Sequence, residues 1–301
     1  MNYMILKELL ACIPFEIERS VCAKLNKAFH RFPTSKPFVS GDTFRSLADV
    51  VFDANSNPKA SDIKENSVVF VFIDLLPVFA EKILPEVKNR FILITHKGDI
   101  NITKDYAYIA DNPKIIHWFA QNCDFEHPKI TPIPIGLENQ ALHNVGNVAD
   151  FKKFQKKKEN HIPKVVIALN LSTNPDKRYP CYRAFWKKPN AVFINNITSS
   201  RIYRKTIKSY MFIASPEGNG IDCHRTWEAI YLGLIPIVND NYLNRFFASL
   251  GLPIILTNDW NEFAEKTEDE LADIYKHTMA KTNTQAAYYD YWEKLIFKYK
   301  H

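Results

Sequence analysis

Short apolar runs alternate with amphipathic stretches along most of the chain. Four β-rich runs lie at 67–74, 91–96, 114–120 and 129–136, and five more at 165–170, 191–196, 210–215, 234–238 and 253–257. The stretches 78–88, 223–232, 241–251, 268–281 and 285–300 are typical of helices. Strands that alternate with helices favour parallel sheets covered on both faces. The sequence therefore predicts an α/β fold, although residues 1–65 show no clear pattern.

A polar, lysine-rich joint near 145–163 separates the two groups of strands. We predict Rossmann-like domains over residues 1–155 and 156–285, and a last helix over 286–301 that packs back on the first domain. The joint holds five lysines between Lys152 and Lys158. Such a run usually forms a solvated helix face, and contact with anionic lipid is the alternative.

Composition narrows the class of protein. The chain has 301 residues, 46% of them hydrophobic, and a net charge of +6, which suits a globular protein of about two domains. Its five cysteines are scattered without a CxxC pair or metal-ligand spacing, and no nucleic-acid motif is visible. No run is a convincing secretion signal or membrane span. We expect a cytoplasmic protein that can contact the inner membrane face through its lysine run.

Glycine is scarce, with eight residues in the chain, yet three of them fall within sixteen positions: Gly218, Gly220 and Gly233. They frame a strand–loop–helix–strand unit over 211–238. Asp222 is predicted to cap the helix at its N-terminus, and Gly233 to end it in a left-handed conformation.

The start of this helix has the chemistry of a phosphate site. Free N–H groups and the helix dipole favour an anion there, and Arg225 in the first turn can bind a diphosphate with its planar fork. Glu228, one turn further, can accept hydrogen bonds from ribose hydroxyls. The alternative is that Arg225 and Glu228 form an ordinary surface ion pair.

The segment SPEGNGIDCHRTWEAIYLGLIPIV (215–238) resembles the donor-binding segment of exostosin-like glycosyltransferases. Five further segments resemble other blocks of that family in the same order, so the resemblance covers about 90–265. They are ITHKGD, DNPKIIHWFAQN, HPKITPIPIGLEN, LSTNPDKR and PIILTNDWNEF. It implies a GT-B fold, in which two Rossmann-like domains face each other across a cleft. It also implies sugar transfer from a nucleotide diphosphate, with inversion. The implied donor-binding residues are Arg178, Ser215, Gly218, Asn219, Gly220, Asp222, His224, Arg225 and Glu228.

Sugar transfer also needs a base, which we expect in the facing domain at the carboxyl end of a strand. His96 and Asp99 follow the buried run 91–96 directly, and ordinary polar loop residues are the alternative. Asn122 and Asn139 are candidates for binding the acceptor.

The chain contains no DxD sequence, so we expect arginines and the helix dipole, with no metal or other cofactor, to balance the diphosphate charge. The expected partners are a UDP-sugar donor and a glycan or glycolipid acceptor. A fucosyltransferase-like enzyme that uses a GDP-sugar is the first alternative. A non-catalytic nucleotide- or glycan-binding protein on the same scaffold is the second.

Overall fold

The computed structural model describes residues 32–140, 146–156, 161–195 and 199–300. Within these ranges no helix is long and apolar enough to cross a membrane. The described residues form ten strands: β1 Val50–Phe52, β2 Ser67–Phe72, β3 Phe91–His96, β4 Ile115–Ala120, β5 Ile130–Pro132, β6 Ile162–Ile167, β7 Ala191–Phe193, β8 Tyr210–Ser215, β9 Ile235–Asn239 and β10 Ile255–Thr257. The α-helices are α1 Gly41–Arg45, α2 Leu76–Val78, α3 Ala107–Asp111, α4 Val148–Gln155, α5 Pro175–Phe185, α6 Ser200–Ile207, α7 His224–Leu232, α8 Tyr242–Ser249, α9 Asn261–Ala264, α10 Glu268–Ala280 and α11 Tyr289–Lys298.

The first sheet is parallel and runs in the order β1-β2-β3-β4-β5. Strand β3 is buried along its whole length, as its unbroken apolar run predicts. Strand β5 lies at one edge, which suits the prolines near its end. In place of the single helix predicted over 78–88, the structure has a series of short 3-10, α and π helical segments between Ile73 and Glu86. Pro77 and Pro85 explain the difference, because proline lacks the N–H that a regular helix needs.

The second sheet is also parallel, but its order is β7-β6-β8-β9-β10. The chain moves outward from β6 to β7, then crosses back to place β8 on the other side of β6. Open α/β sheets bind ligands at the carboxyl ends of the strands where the order reverses in this way. The loops after β6 and β8 therefore frame the crevice of this domain.

The predicted α/β class, with two domains built on parallel sheets, is confirmed by these sheets, and the GT-B type remains a prediction. The exact domain boundaries remain predictions. Of the lysine run, Lys152 and Lys153 lie on α4 and, like Lys156 just after it, are exposed, whereas Lys157 and Lys158 fall outside the described residues.

A continuous apolar core joins the two domains. The ring of Phe38, before α1, lies 4.6 Å from that of Tyr231 on α7, and the Tyr231 hydroxyl donates to the carbonyl of Ala287. Helix α11 then contacts the first domain: Trp292 is fully buried near Phe44. This shared core fixes the loops of one domain against those of the other.

Candidate functional site

Two adjoining compartments lie between the domains. The larger, of about 930 Å³, covers the crevice between β6 and β8 and the start of α7. The smaller, of about 600 Å³, lies against the ends of β3 and β5 in the first domain. Both are lined by Asp99, Ile135, Glu138 and His224. These four residues therefore form a junction that a molecule in either compartment reaches.

Helix α7 begins at His224. Cys223 occupies the N-cap position, but its side chain makes no capping hydrogen bond. The prediction that Asp222 caps the helix is therefore wrong. Asp222 is 5% exposed and accepts hydrogen bonds from the backbone N–H of Ile135 at 2.8 Å and from the indole of Trp227 at 2.9 Å. Burial raises its pKa to about 6, although these donors oppose the shift. Asp222 thus links the domains, while Gly233 ends the helix in the predicted left-handed conformation.

Arg225 and Glu228 both line the larger compartment, and no ion pair joins them. The alternative of a surface pair is therefore wrong. Glu228 is 6% exposed, and no described residue donates a hydrogen bond to its carboxylate. Burial raises its pKa, with Arg204, His224 and Arg225 opposing. The buried Nε of Arg225 also has no hydrogen-bond partner in the described structure. Buried polar groups are normally paired, so this pair suits a polar ligand.

Arg178 is buried and holds the two crevice loops together. Its Nε donates to the carbonyl of Glu217, in the loop after β8, at 3.1 Å, and its Nη1 donates to that of Asn170, after β6, at 2.6 Å. A Cβ on Gly218 would lie 3.0 Å from Nη2, so glycine leaves room for the guanidinium. Arg178 therefore adds a second positive charge to the larger compartment.

Some residues of the loop after β8 line the larger compartment, and Ser215 at the end of β8 holds the structure together instead. Gly218, Asn219 and Gly220 line the larger compartment, as expected. Ser215 does not, because it is buried and its hydroxyl hydrogen-bonds that of Thr226 on α7. Its role is to fix the helix against the strand.

His96 lacks the free lone pair that a base needs. It is buried at the end of β3, where Nε2 lies 3.0 Å from the carbonyl of Pro134 and Nδ1 accepts from the N–H of Lys97 at 2.7 Å. Burial lowers its pKa to about 3, so the ring is neutral and its Nε2–H donates to Pro134. Asp99 is exposed at the junction, where it accepts from the amide of Asn219 at 3.0 Å. Of the two predicted bases, Asp99 alone presents a proton acceptor to the cleft.

Glu138 is a junction carboxylate that sequence reasoning missed. One oxygen accepts from the N–H of Asn139 at 2.8 Å, and the other lies 3.4 Å from Nε2 of His224. Nδ1 of His224 donates to the carbonyl of Gly136 at 2.7 Å. Burial lowers the pKa of His224, but Glu138 and the Gly136 carbonyl raise it more, so the net pKa lies above 6.5. The signal was present in the sequence: Glu138 is the first carboxylate after the strand β5.

The two predicted acceptor asparagines have different places. Asn139 lines the smaller compartment. Asn122 lies outside both compartments and is fully buried. Its side chain accepts from the N–H of Asp222 at 3.1 Å and contacts Gly220 so closely that a Cβ there would lie 2.4 Å from its Nδ2. Asn122 therefore holds the loop before α7 against the first domain.

The larger compartment contains further residues that the sequence did not indicate. Tyr203 on α6 lies beside Arg225, and burial raises its pKa to about 12. The same compartment is lined by residues that follow β6 and β7, namely Ala168, Leu169, Asn170, Ile194 and Asn195. Helix α6 carried no motif, so only the packing of α6 beside α7 brings Tyr203 to the site. Among the described residues, no group of three or more His, Cys, Asp or Glu is placed to hold a metal ion.

No model of a known protein family and no curated protein matches this chain. A solved structure described as "Trehalose-6-phosphate from E. coli bound with UDP-2-fluoro glucose" is similar in fold. It has 11% sequence identity and a TM-score of 0.41, over 80% of this chain and 76% of that one. A likeness at this level carries no functional inference, so the roles of the residues rest on their own geometry.

Proposed function

We propose that the protein is a glycosyltransferase that moves a sugar from a nucleotide diphosphate to a glycan or glycolipid acceptor. The observation that carries the proposal is the junction. A compartment with two arginines and a helix N-terminus adjoins a second compartment lined with polar side chains, and carboxylates lie where the two meet. Group transfer between two bound molecules requires such an arrangement.

The larger compartment is proposed to bind the donor. Its diphosphate would lie at the start of α7, against Arg225 and Arg178, where helix N–H groups and guanidinium forks favour phosphate oxygens. Glu228, buried and without a donor of its own, would accept the ribose hydroxyls. The nucleobase would then extend toward Asn195, which lines the same compartment. We favour a UDP-sugar, and a GDP-sugar is the alternative.

Glu138 is proposed as the base. The acceptor hydroxyl oxygen attacks the anomeric carbon while its proton passes to the Glu138 carboxylate. The bond from the anomeric carbon to the diphosphate breaks, and its electron pair leaves on the phosphate oxygen. Attack from the face opposite the leaving group inverts the anomeric carbon. His224, held in place by Gly136, would keep Glu138 oriented and add positive charge near the phosphates.

Metal independence is part of the proposal. Arg178, Arg225 and the N-terminus of α7 converge on one region, and the charge of the departing diphosphate can be balanced there without a divalent ion. Loss of most turnover on treatment with EDTA would overturn this point.

A thermal-shift screen with UDP-, GDP-, CMP- and dTDP-sugars tests donor binding, because a ligand that binds the folded state raises its apparent stability. We expect a shift with one nucleotide class, largest for UDP. Arg225→Gln should abolish the shift, and Arg183→Gln, on the exposed face of α5, should leave it unchanged. No shift with any donor would contradict the proposal.

Product release separates an enzyme from a non-catalytic binder. Incubation with the donor that gives the shift, with and without a glycan mixture, should release free nucleotide diphosphate. Glu138→Gln should strongly slow the release and retain the thermal shift, and Asp99→Asn should slow the release less. A shift without any nucleotide release in the wild type would favour the binding protein.

A further inference from the structure

We propose that the smaller compartment takes an acceptor sugar with a free amino group, whose ammonium lies between Asp74 and Asp99. This inference rests on the proposed glycosyl transfer and names the class of acceptor. It follows from the charges of the compartment wall, from the position of the two carboxylates, and from a buried amide that faces the same space.

The wall of the smaller compartment is acidic. Asp74, Asp99 and Glu138 line it, and among its described residues Lys97 is the only lysine or arginine. The Lys97 ammonium lies 2.7 Å from the carboxylate of Asp42, whose side chain is fully buried. This pair is neutral as a unit. His96 is neutral as well. Among the described lining residues, the imidazole of His224, on the donor side, is therefore the one remaining group that can balance the negative charge of the three carboxylates.

Asp74 is placed by its contact with Gly98. Gly98 directly precedes Asp99 in the chain. A Cβ on Gly98 would lie 2.4 Å from Oδ1 of Asp74, so a glycine at position 98 lets the Asp74 carboxylate lie where it does. No described residue donates a hydrogen bond to Asp74. Partial burial and the like charge of Asp99 both raise the pKa of Asp74. An ammonium between the two carboxylates would balance their like charges.

Asn139 is a second, independent sign that this space holds a polar ligand. It is 5% exposed and lines the compartment. Its Oδ1 accepts from the N–H of Asp42 at 2.7 Å, and no described residue accepts from its Nδ2. An amide N–H that no described residue accepts, on a largely buried side chain that lines the compartment, suits a ring hydroxyl or ring oxygen of a bound sugar.

Charge then separates the classes of acceptor. An amino sugar adds one positive charge to an acidic wall, whereas a neutral sugar gains hydrogen bonds only. A uronic acid brings a further negative charge and is repelled. Glu138, the proposed base, remains free to act on the hydroxyl, because Asp74 and Asp99 hold the amino group.

Titration calorimetry with four methyl glycosides tests the inference, at pH 6.5, low salt, with and without UDP. The probes are the glycosides of glucosamine, glucose, N-acetylglucosamine and glucuronic acid. We expect the glucosaminide to bind roughly tenfold more tightly than the glucoside, and the glucuronide most weakly. The preference should disappear in Asp74→Asn and in about 1 M salt, where charges are screened over roughly 3 Å. Glu81→Gln, an exposed carboxylate outside the compartment, is the matched control.

Each outcome decides between the two proposals. Equal affinity for the glucosaminide and the glucoside, or no detectable binding of the glucosaminide, overturns the amino-acceptor inference even when UDP binds. A glucosaminide preference that depends on Asp74, in a protein that binds no nucleotide, supports the compartment assignment and removes the glycosyltransferase proposal. Persistence of the preference in Asp74→Asn would also overturn the inference.

Discussion

Replacement of Asp222 by alanine tests whether this residue holds the domains together, as its contacts indicate. The substitution leaves two fully buried donors without an acceptor, the N–H of Ile135 and the indole N–H of Trp227, and it also removes the acceptor of the half-buried N–H of Cys223. Each orphaned donor costs about 1–3 kcal/mol, so the loss for a neutral carboxyl group is roughly 4 kcal/mol of unfolding free energy.

Ionisation reduces this loss at neutral pH. The pKa of Asp222 is about 6 in the folded protein, against an ordinary value of 3.8, a difference that corresponds to about 3 kcal/mol. Because the folded pKa is the higher one, the folded state binds the proton first, and the carboxyl group stabilises the protein increasingly as pH falls from about 6 to about 4. Asp222→Ala should therefore cost about 1 kcal/mol at pH 7 and about 2.5 kcal/mol at pH 5.

Urea denaturation followed by far-ultraviolet circular dichroism at the two pH values gives both numbers. Addition of Trp227→Phe removes one of the two donors, so Asp222→Ala should cost about 2 kcal/mol less in that background. Glu81→Gln, a control for the loss of one exposed carboxylate, should show no such dependence on pH. An equal cost of Asp222→Ala at both pH values, or a larger cost at pH 7, would refute the linkage argument.

Three further predictions concern the junction and the loop before α7. Glu138→Gln should lower kcat by about 10²–10⁴-fold without weakening donor affinity, measured by steady-state kinetics and calorimetry; unchanged kcat would remove Glu138 as the base. The same variant should lower the pKa of His224 in an NMR titration, because Glu138 is the main group that raises it. Wild type should accordingly gain stability over the variant as pH falls toward 6.5 and lose that gain as pH rises through the folded pKa. Gly220→Ala should destabilise by about 1–3 kcal/mol in urea, since its Cβ would meet buried Asn122 at 2.4 Å, whereas Gly233→Ala should cost only the left-handed strain of about 1 kcal/mol; equal costs would contradict the steric argument.

The sequence predicted most strands closely, because a buried strand needs only a local apolar run. Strands β3 and β8 match the predicted ranges 91–96 and 210–215. Strand β1 was missed, since three residues carry little pattern. The stretch 78–88 was misread as one helix, although Pro77 just before it and Pro85 within it indicated a broken one.

The unit over 211–238 could also be predicted from its own residues. Strand, loop, helix and left-handed Gly233 follow one another in the chain, so their geometry depends on neighbours in sequence. The same local unit brings Arg225 and Glu228 to one side of α7. It does not show that Glu228 is buried and unpaired, because that depends on the neighbouring helix α6 and on the facing domain.

The sequence by itself determined the α/β class, the parallel strands and the helix on which the proposed donor site is built, because apolar periodicity and turn residues act over a few positions. Only the tertiary structure decided the order of the second sheet, which puts the crevice between β6 and β8. It also brought His224 to the carbonyl of Gly136, 88 positions earlier, and so beside Glu138. It engaged both nitrogens of His96 within the first domain. Whether a polar side chain is a ligand group or a structural one depends on the partners and the solvent left around it, and those are set by residues far away in the chain.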